Sequence, residues 1–337
     1  MSARRPPHLD RRPDTQRART RPDDVGHDGR GTMPDVTIIG ACRRQGRGGS
    51  PTAVLDDAPF TDAERRRVPA AAGTSHAVFI AAVEGEGPAR PSYQLRFFTG
   101  EGELPACGHG TVAALALLAL RYCGADYRAV LHTTGRVFEG WARRERDGLT
   151  AAFDPGPIGL RDAGEPELRA IATALGMAGE ALPDGACVAS PSRPRLLLPM
   201  RTRTALAGLD PDFAALRAAC DRYGLLGCYA YSIPNADGRA AARMFAPSIG
   251  VPEDVANANS TACLAAYLAD QGVTGIAVDM GDHLGHPSTI IASAQRSASG
   301  TLIRLGGAAE IARVVRLPQL AGPAVRAGEL GGLMSSR

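Results

Sequence analysis

The hydrophobic pattern has one stretch with no polar relief at all. Residues 112–120 read VAALALLAL, a longer apolar run than most strands hold. It falls well short of the roughly 20 residues that a membrane-spanning helix needs. Before it come the strand-like positions Leu95, Phe97 and Phe98 and then a glycine-rich turn, Cys107-Gly108-His109-Gly110-Thr111. The order predicts strand, tight turn and a helix starting near His109. A helix apolar on every face belongs in a core. Its first N–H groups have no partner within the helix and its dipole is positive at that end, so the turn suits a carboxylate or another anion.

The chain repeats the pattern further on. Arg243-Met244-Phe245-Ala246-Pro247 echoes Arg96-Phe97-Phe98-Thr99-Gly100 at an offset of 147. Asn257-Ala258-Asn259-Ser260-Thr261 then precedes a second apolar run. At an offset of 150, Glu103 falls on Glu253, His109 on Asn259 and Thr111 on Thr261. Two copies of one unit imply two halves that each aim a helix N-terminus at a shared cleft. Two unrelated buried helices would leave the same pattern.

Around these motifs the alternation predicts strands at residues 35–39, 50–55, 77–83, 129–134, 149–153, 195–200, 228–233, 276–278, 287–292 and 301–305. Helices are expected at residues 165–175 and 211–223, and a shorter one opens on the capping box Thr61-x-x-Glu64. His76 stands just before its strand. The class is α+β, many strands with one long buried helix per half. Residues 1–32 are Arg, Asp, Pro and Gly with almost no apolar side chain, and read as a disordered tail. The halves run over 33–148 and 149–318, and residues 319–337 form a loose tail.

Composition narrows the chemistry. The chain has no lysine, which excludes a Schiff base to pyridoxal phosphate and the phosphate-loop lysine. The net charge of +3 sits in residues 1–32, where eight Arg meet five Asp. The rest is neutral and offers no basic face to nucleic acid. Seven cysteines are scattered without a C-x-x-C pair, so reduced thiols in a cytoplasmic protein are expected. His283 and His286 form an H-x-x-H pair with no third ligand nearby, and no metal site is expected. No membrane partner is expected either.

Several segments together resemble the PhzF family of isomerases, whose fold is shared with diaminopimelate epimerase. Ser50-Pro51-Thr52-Ala53-Val54 is similar to the family's G-N-P-x-A-V, and Ser75-His76-Ala77-Val78-Phe79 to its S-E-T-A-F. Residues 96–111 resemble R-x-F-x-P…C-G-H-A-T. Residues 243–254 resemble the R-x-F-x-P…G-I-x-E-D of the second half. Gly285-His286-Pro287-Ser288 resembles G-R-P-S, and Gly306-Gly307-Ala308-Ala309 the late G-G-x-A strand. The match covers residues 33–315 in order. It implies two pseudo-symmetric halves of diaminopimelate epimerase/PhzF type, each a curved sheet around a central buried helix. It also implies that His76 replaces the family's catalytic Glu and that the acidic pair Glu253-Asp254 is kept.

A histidine exchanges protons near neutral pH without a large pKa shift, and at a strand end it is also a common hydrogen-bonding residue. The resemblance makes His76 the acid/base, with Asp254 assisting. His109, Gly108, Gly110, Asn259 and Ser50 are the expected substrate-binding residues. For His109 and Asn259 the simpler role is helix capping. Cys107 reads as a buried small hydrophobe, because the second motif has no thiol to face it as a two-cysteine racemase would need.

The expectation is a cofactor-independent isomerase that shifts a proton and a double bond on a small unsaturated carboxylic or amino acid. Its place would be secondary metabolism, with alkylproline-type antibiotic precursors a candidate class, and relatives imply a homodimer. The alternatives are an amino-acid racemase or epimerase, and a non-catalytic binding protein on the same scaffold.

Overall fold

The computed structural model describes residues 35–317, apart from 84–89, 123, 146–147, 180, 192 and 298–299. The two expected tails and Cys123 lie outside the described residues.

Strands β1 (Asp35–Arg43) and β2 (Ser50–Asp56) pair antiparallel, and helix α1 (Asp62–Ala72) crosses to β3 (His76–Ala82), parallel to β2. Thr61 caps α1 in a reciprocal box with Glu64, as Thr61-x-x-Glu64 predicts. Strand β4 (Ser92–Phe98) returns antiparallel to β3 and carries the short β5 (Glu103–Leu104). Helix α2 (Gly108–Arg121) leads to β6 (Asp126–Thr133), parallel to β4. Then β7 (Arg136–Glu145) and β8 (Gly148–Phe153) form a meander.

After β9 (Gly159–Asp162) and α3 (Glu165–Ala174) the same order recurs. Strands β10 (Cys187–Ser190) and β11 (Arg195–Met200) pair antiparallel. Helices α4 (Arg203–Ala207) and α5 (Phe213–Tyr223) cross to β12 (Cys228–Ser232), parallel to β11. Strand β13 (Arg239–Ala246) carries the short β14 (Val251–Asp254). Helix α6 (Ala258–Ala269) leads to β15 (Gly275–Met280), parallel to β13, and β16 (Ser288–Ser297) and β17 (Gly300–Arg316) complete the meander. Parallel and antiparallel pairings follow each other in the same sequence both times, which the two sequence motifs imply only for their own neighbourhoods.

Strand β17 is the seam. Its start pairs with β16, its middle with β8 and its end with β1. Through it β1, β2, β3, β4, β6, β7, β8 and β17 close hydrogen-bond to hydrogen-bond into a ring around α2. Every residue of α2 from Gly108 to Ala119 is buried, which is why this helix needs no polar face. Helix α6 is buried at ten of its twelve positions. The strands alternate accordingly. Val54, Val78 and Ile80 belong to the core around α2, whereas Ala53, Leu55, Ala77 and Phe79 form a separate core with Val68 and Ala72 of α1. His76 shares its parity with Val78 and Ile80, so β3 delivers its side chain to the α2 side. Helices α3 and α5 cover the outer faces of β10 to β13. Among the described residues no helix is long and apolar enough to cross a membrane.

Candidate active site

The N-termini of α2 and α6 meet. A Cβ built on Gly108 would stand 2.5 Å from the Cβ of Ala258 and 3.1 Å from the Asn259 amide nitrogen. Only a residue without a side chain lets the two helix starts approach this closely. Gly110 serves packing instead: a Cβ there would press on Cys107 Sγ, Val78 and Phe97 at 3.0–3.1 Å. Beside the junction lies a small cavity of about 40 Å³, lined among others by His76, Cys107, His109, Arg195, Asp254 and Asn259. Ser50 is wholly buried at the start of β2 with an unpartnered hydroxyl, and is not part of the cavity lining.

His76 and His109 face each other edge to face, with ring centroids 4.4 Å apart. His76 holds Ser75 Oγ through Nδ1 at 2.9 Å. His109 reaches across to the other half, where its Nδ1 lies 2.7 Å from the Ala256 carbonyl. A carbonyl only accepts, so Nδ1 carries a proton and donates it. The other ring nitrogen, Nε2, lies 3.4 Å from Cys107 Sγ. Asp254 at the end of β14 stands 4.0 Å from His109 Nδ1 and accepts from the Asn257 side-chain amide at 3.0 Å.

These surroundings drive the two imidazoles apart. Burial, with the neighbouring His109 charge added, holds His76 well below the ordinary histidine range. Burial works against a charge on His109 as well, but the Cys107 sulfur, Asp254 and the Ala256 carbonyl outweigh it and lift His109 to about 9. At neutral pH one ring is a free base and the other a held acid. Titratable pairs split in this way are candidates for acid and base roles.

The helix caps differ from the sequence expectation. Neither His109 nor Asn259 is an N-cap. Those positions belong to Cys107 and Asn257, and only Asn257 caps with its side chain, accepting from the Ser260 N–H at 2.9 Å. His109 and Asn259 are each two residues further in, where both line the cavity. Cys107 is buried, as a small hydrophobe would be, but its sulfur faces an imidazole and borders the cavity. The sequence reading missed Asn257, Arg193 and Arg195. Asn257 was reachable through the offset of 150, which sets it on Cys107. Arg195 carries no signal in the sequence beyond opening an apolar strand, and Arg193 none beyond preceding it.

A metal would find its donors here rather than at His283 and His286. His76, Cys107 and His109 place ligand atoms within 4.8 Å of one another, a nitrogen and sulfur set of the kind zinc takes.

This fold, with two helix starts meeting at one cavity, is that of a class of isomerases and epimerases. The chain belongs to the phenazine biosynthesis-like protein family, PhzC-PhzF, whose model matches residues 42–313. It is 29% identical over 293 residues to an uncharacterized isomerase of Deinococcus radiodurans, covering 80% of this chain and 89% of that one. It is 28% identical over 286 residues to the trans-2,3-dihydro-3-hydroxyanthranilate isomerase of Pseudomonas fluorescens, covering 82% and 96%. A solved structure described as a predicted epimerase, from Pseudomonas aeruginosa, superposes with a TM-score of 0.71 at 25% identity, covering 85% of this chain and 99% of that one. The chain is an isomerase, on the α+β fold that the motifs implied.

Proposed function

We propose that the cavity moves a proton, and with it a double bond, on a small unsaturated cyclic amino acid without a bound cofactor. The observation that carries this is the edge-to-face pair of His76 and His109 at 4.4 Å, one imidazole held neutral and the other held protonated.

In the proposed step His76 takes a proton from an sp³ carbon next to a double bond. The C–H electron pair becomes the new double bond, and the electron pair of the old double bond goes to the far carbon, where it forms a C–H bond with the proton that His109 Nε2 gives up. His76 ends protonated and His109 neutral. The proton then passes back between them, and the substrate leaves as its isomer with no atom gained or lost. Asp254, close to His109 Nδ1, steadies the imidazolium between turnovers. The dihydroanthranilate named for the Pseudomonas fluorescens relative is a cyclic unsaturated amino acid, and the small cavity suits a compact ligand. An alkylproline-type diene acid meets the same description and fits the replacement of the family's glutamate by His76.

Proton NMR in D₂O tests the reading, with a panel of anthranilate-type and proline-type diene acids. Wild-type protein should take deuterium into a substrate whose double bond has moved. His76→Ala should lower that rate by about 10²–10⁴-fold, the usual contribution of a general base. Full turnover by His76→Ala would refute the assignment.

Epimerisation at the carbon next to the carboxylate is the second reading, favoured by the Cys107 thiol at the cavity and the epimerase description of the structural relative. Its two-thiol form lacks a partner, since Asn257 stands where a second cysteine would. Deuterium entering at that carbon without a double-bond shift would select it.

A further inference from the structure

Three arginines of the described chain are buried, and two are answered by acids. Arg65 pairs with Asp57 at 2.9 Å and Arg243 with Glu253 at 2.8 Å. Arg195 is the most buried of the three, 2% exposed, and has no acid. Its Nη1 donates to the Ser260 hydroxyl at 3.1 Å and its Nη2 to the Arg193 carbonyl at 2.8 Å. Its Nε–H has no acceptor. Guanidinium does not shed its proton in a protein, so the charge remains in place, and a buried unpaired charge is strongly unfavourable. A fold keeps such a group where a ligand supplies the counter-charge.

The surroundings point the same way. Arg195 and Arg193 both line the cavity, and Asp254 is its one carboxylate among the lining residues. Helix α6 starts at the same place. Asn257 occupies the Ser260 N–H, while the Asn259 N–H lies beside Gly108 at the helix junction. The cavity is therefore lined by a buried arginine with no acid, a second arginine and a helix N-terminus, an arrangement that receives an oxyanion.

We propose that Arg195 binds the substrate carboxylate, with the N-terminus of α6 beside it, and so fixes which carbon of the substrate lies against His76 and His109. The inference rests on the cavity being the reaction site. It defines the ligand class as acids, with the corresponding amides excluded.

Anthranilate and its amide, 2-aminobenzamide, probe this in the full-length protein by titration calorimetry without any turnover. Wild-type protein should prefer the acid by at least about tenfold. Arg195→Met should weaken anthranilate by about 10- to 100-fold, the effect of losing one charged hydrogen-bond partner, and leave the amide unchanged. Arg195→Lys should keep a reduced preference. Should Arg195→Met fail to fold, the wild-type Arg195 Nε–H signal in ¹⁵N-resolved NMR, identified by its absence from Arg195→Lys, should shift with anthranilate and not with the amide. No preference in wild-type protein, an intact preference in Arg195→Met, or an unmoved Nε–H signal under saturating anthranilate would each overturn the proposal. His76→Ala separates the two readings. An acid preference that depends on Arg195 in a protein that never exchanges deuterium would leave the carboxylate site standing and remove the proton-transfer function.

Discussion

The two helix starts are copies with different jobs. At α6 a side chain closes the cap, Asn257 accepting from the Ser260 N–H, and Asn259 follows as a neutral polar residue. At α2 the cap residue is Cys107 and no side chain satisfies the first turn. The residue after the glycine is His109, which bonds to a carbonyl in the other half. A capped start is a stable structural end. An uncapped start, with a thiol, an imidazole and the positive end of a dipole, is a reactive one. The geometry occurs twice, and the proposed chemistry falls on one copy.

Exchanging the two residues should break that asymmetry, with the largest effect expected. His109→Ala should lower the rate of deuterium incorporation by about 10²–10⁴-fold, as loss of a general acid does. Asn259→Ala should lower it by only about tenfold, the worth of one hydrogen bond. Equal losses at both positions would mean that the two starts share the chemistry. The pH profile sharpens the point. The wild-type rate should fall as the pH rises through about 9 and His109 loses its proton, and it should hold below 6.5, because His76 resists protonation there. Stability should follow the same groups. The folded protein keeps the His109 proton after the unfolded chain has released it, so that contribution is complete below about 6.5 and is lost as the pH rises through about 9. His76 acts in the opposite direction. Its contribution is present above about 6.5 and is lost as the pH falls, when the unfolded chain takes a proton that the buried ring refuses. Thermal melts from pH 5 to 10 would show both limbs.

A second pair of copies differs in depth rather than in chemistry. Arg243–Glu253 and Arg96–Glu103 occupy matching places, between the end of the motif strand and the short strand that pairs with it. The first pair is 7% exposed on each side. Arg243 also donates to the carbonyls of Leu206, Ala207 and Leu209, tying α4 and the loop after it to β13. Glu253→Ala leaves that guanidinium buried and unanswered, and should cost about 3–5 kcal/mol in urea unfolding. A loss under about 1 kcal/mol would show that water reaches the site.

How much of this was legible in the sequence depended on where the physics is local. Thr61 and Glu64 lie within one helical turn, and their capping box read correctly. Helix α2 announced itself because it is apolar on every face. Strand β7 did not, since Arg136, Glu139, Arg143, Arg144 and Glu145 put charges along a strand whose outer face is solvated. Strand β17 read as five residues and runs from Gly300 to Arg316. Gly306, Gly307, Ala308 and Ala309 break the hydrophobic alternation where it passes from β16 to β8 and β1. At the site, His76, His109 and Asp254 came from motif positions. Arg195 could not, because its meaning is the absence of an acid in three dimensions, and a sequence does not record which charges go unanswered.

The smallest effect is expected at the shallow copy. Arg96–Glu103 has the same bidentate form as its deep counterpart, with bonds of 2.9 and 2.6 Å, but its side chains are 26% and 29% exposed. Asp62 offers Arg96 a second acid at 3.0 Å, so removing Glu103 does not strand the charge. Water and salt screen what remains. Glu103→Ala should therefore cost no more than about 1 kcal/mol, falling further in 0.5 M salt. The same ion pair would then differ several-fold in worth between the two halves through burial and the supply of a second partner alone. A Glu103→Ala cost equal to that of Glu253→Ala would mean that the fold is held by matching clamps in both halves and that depth is irrelevant to them.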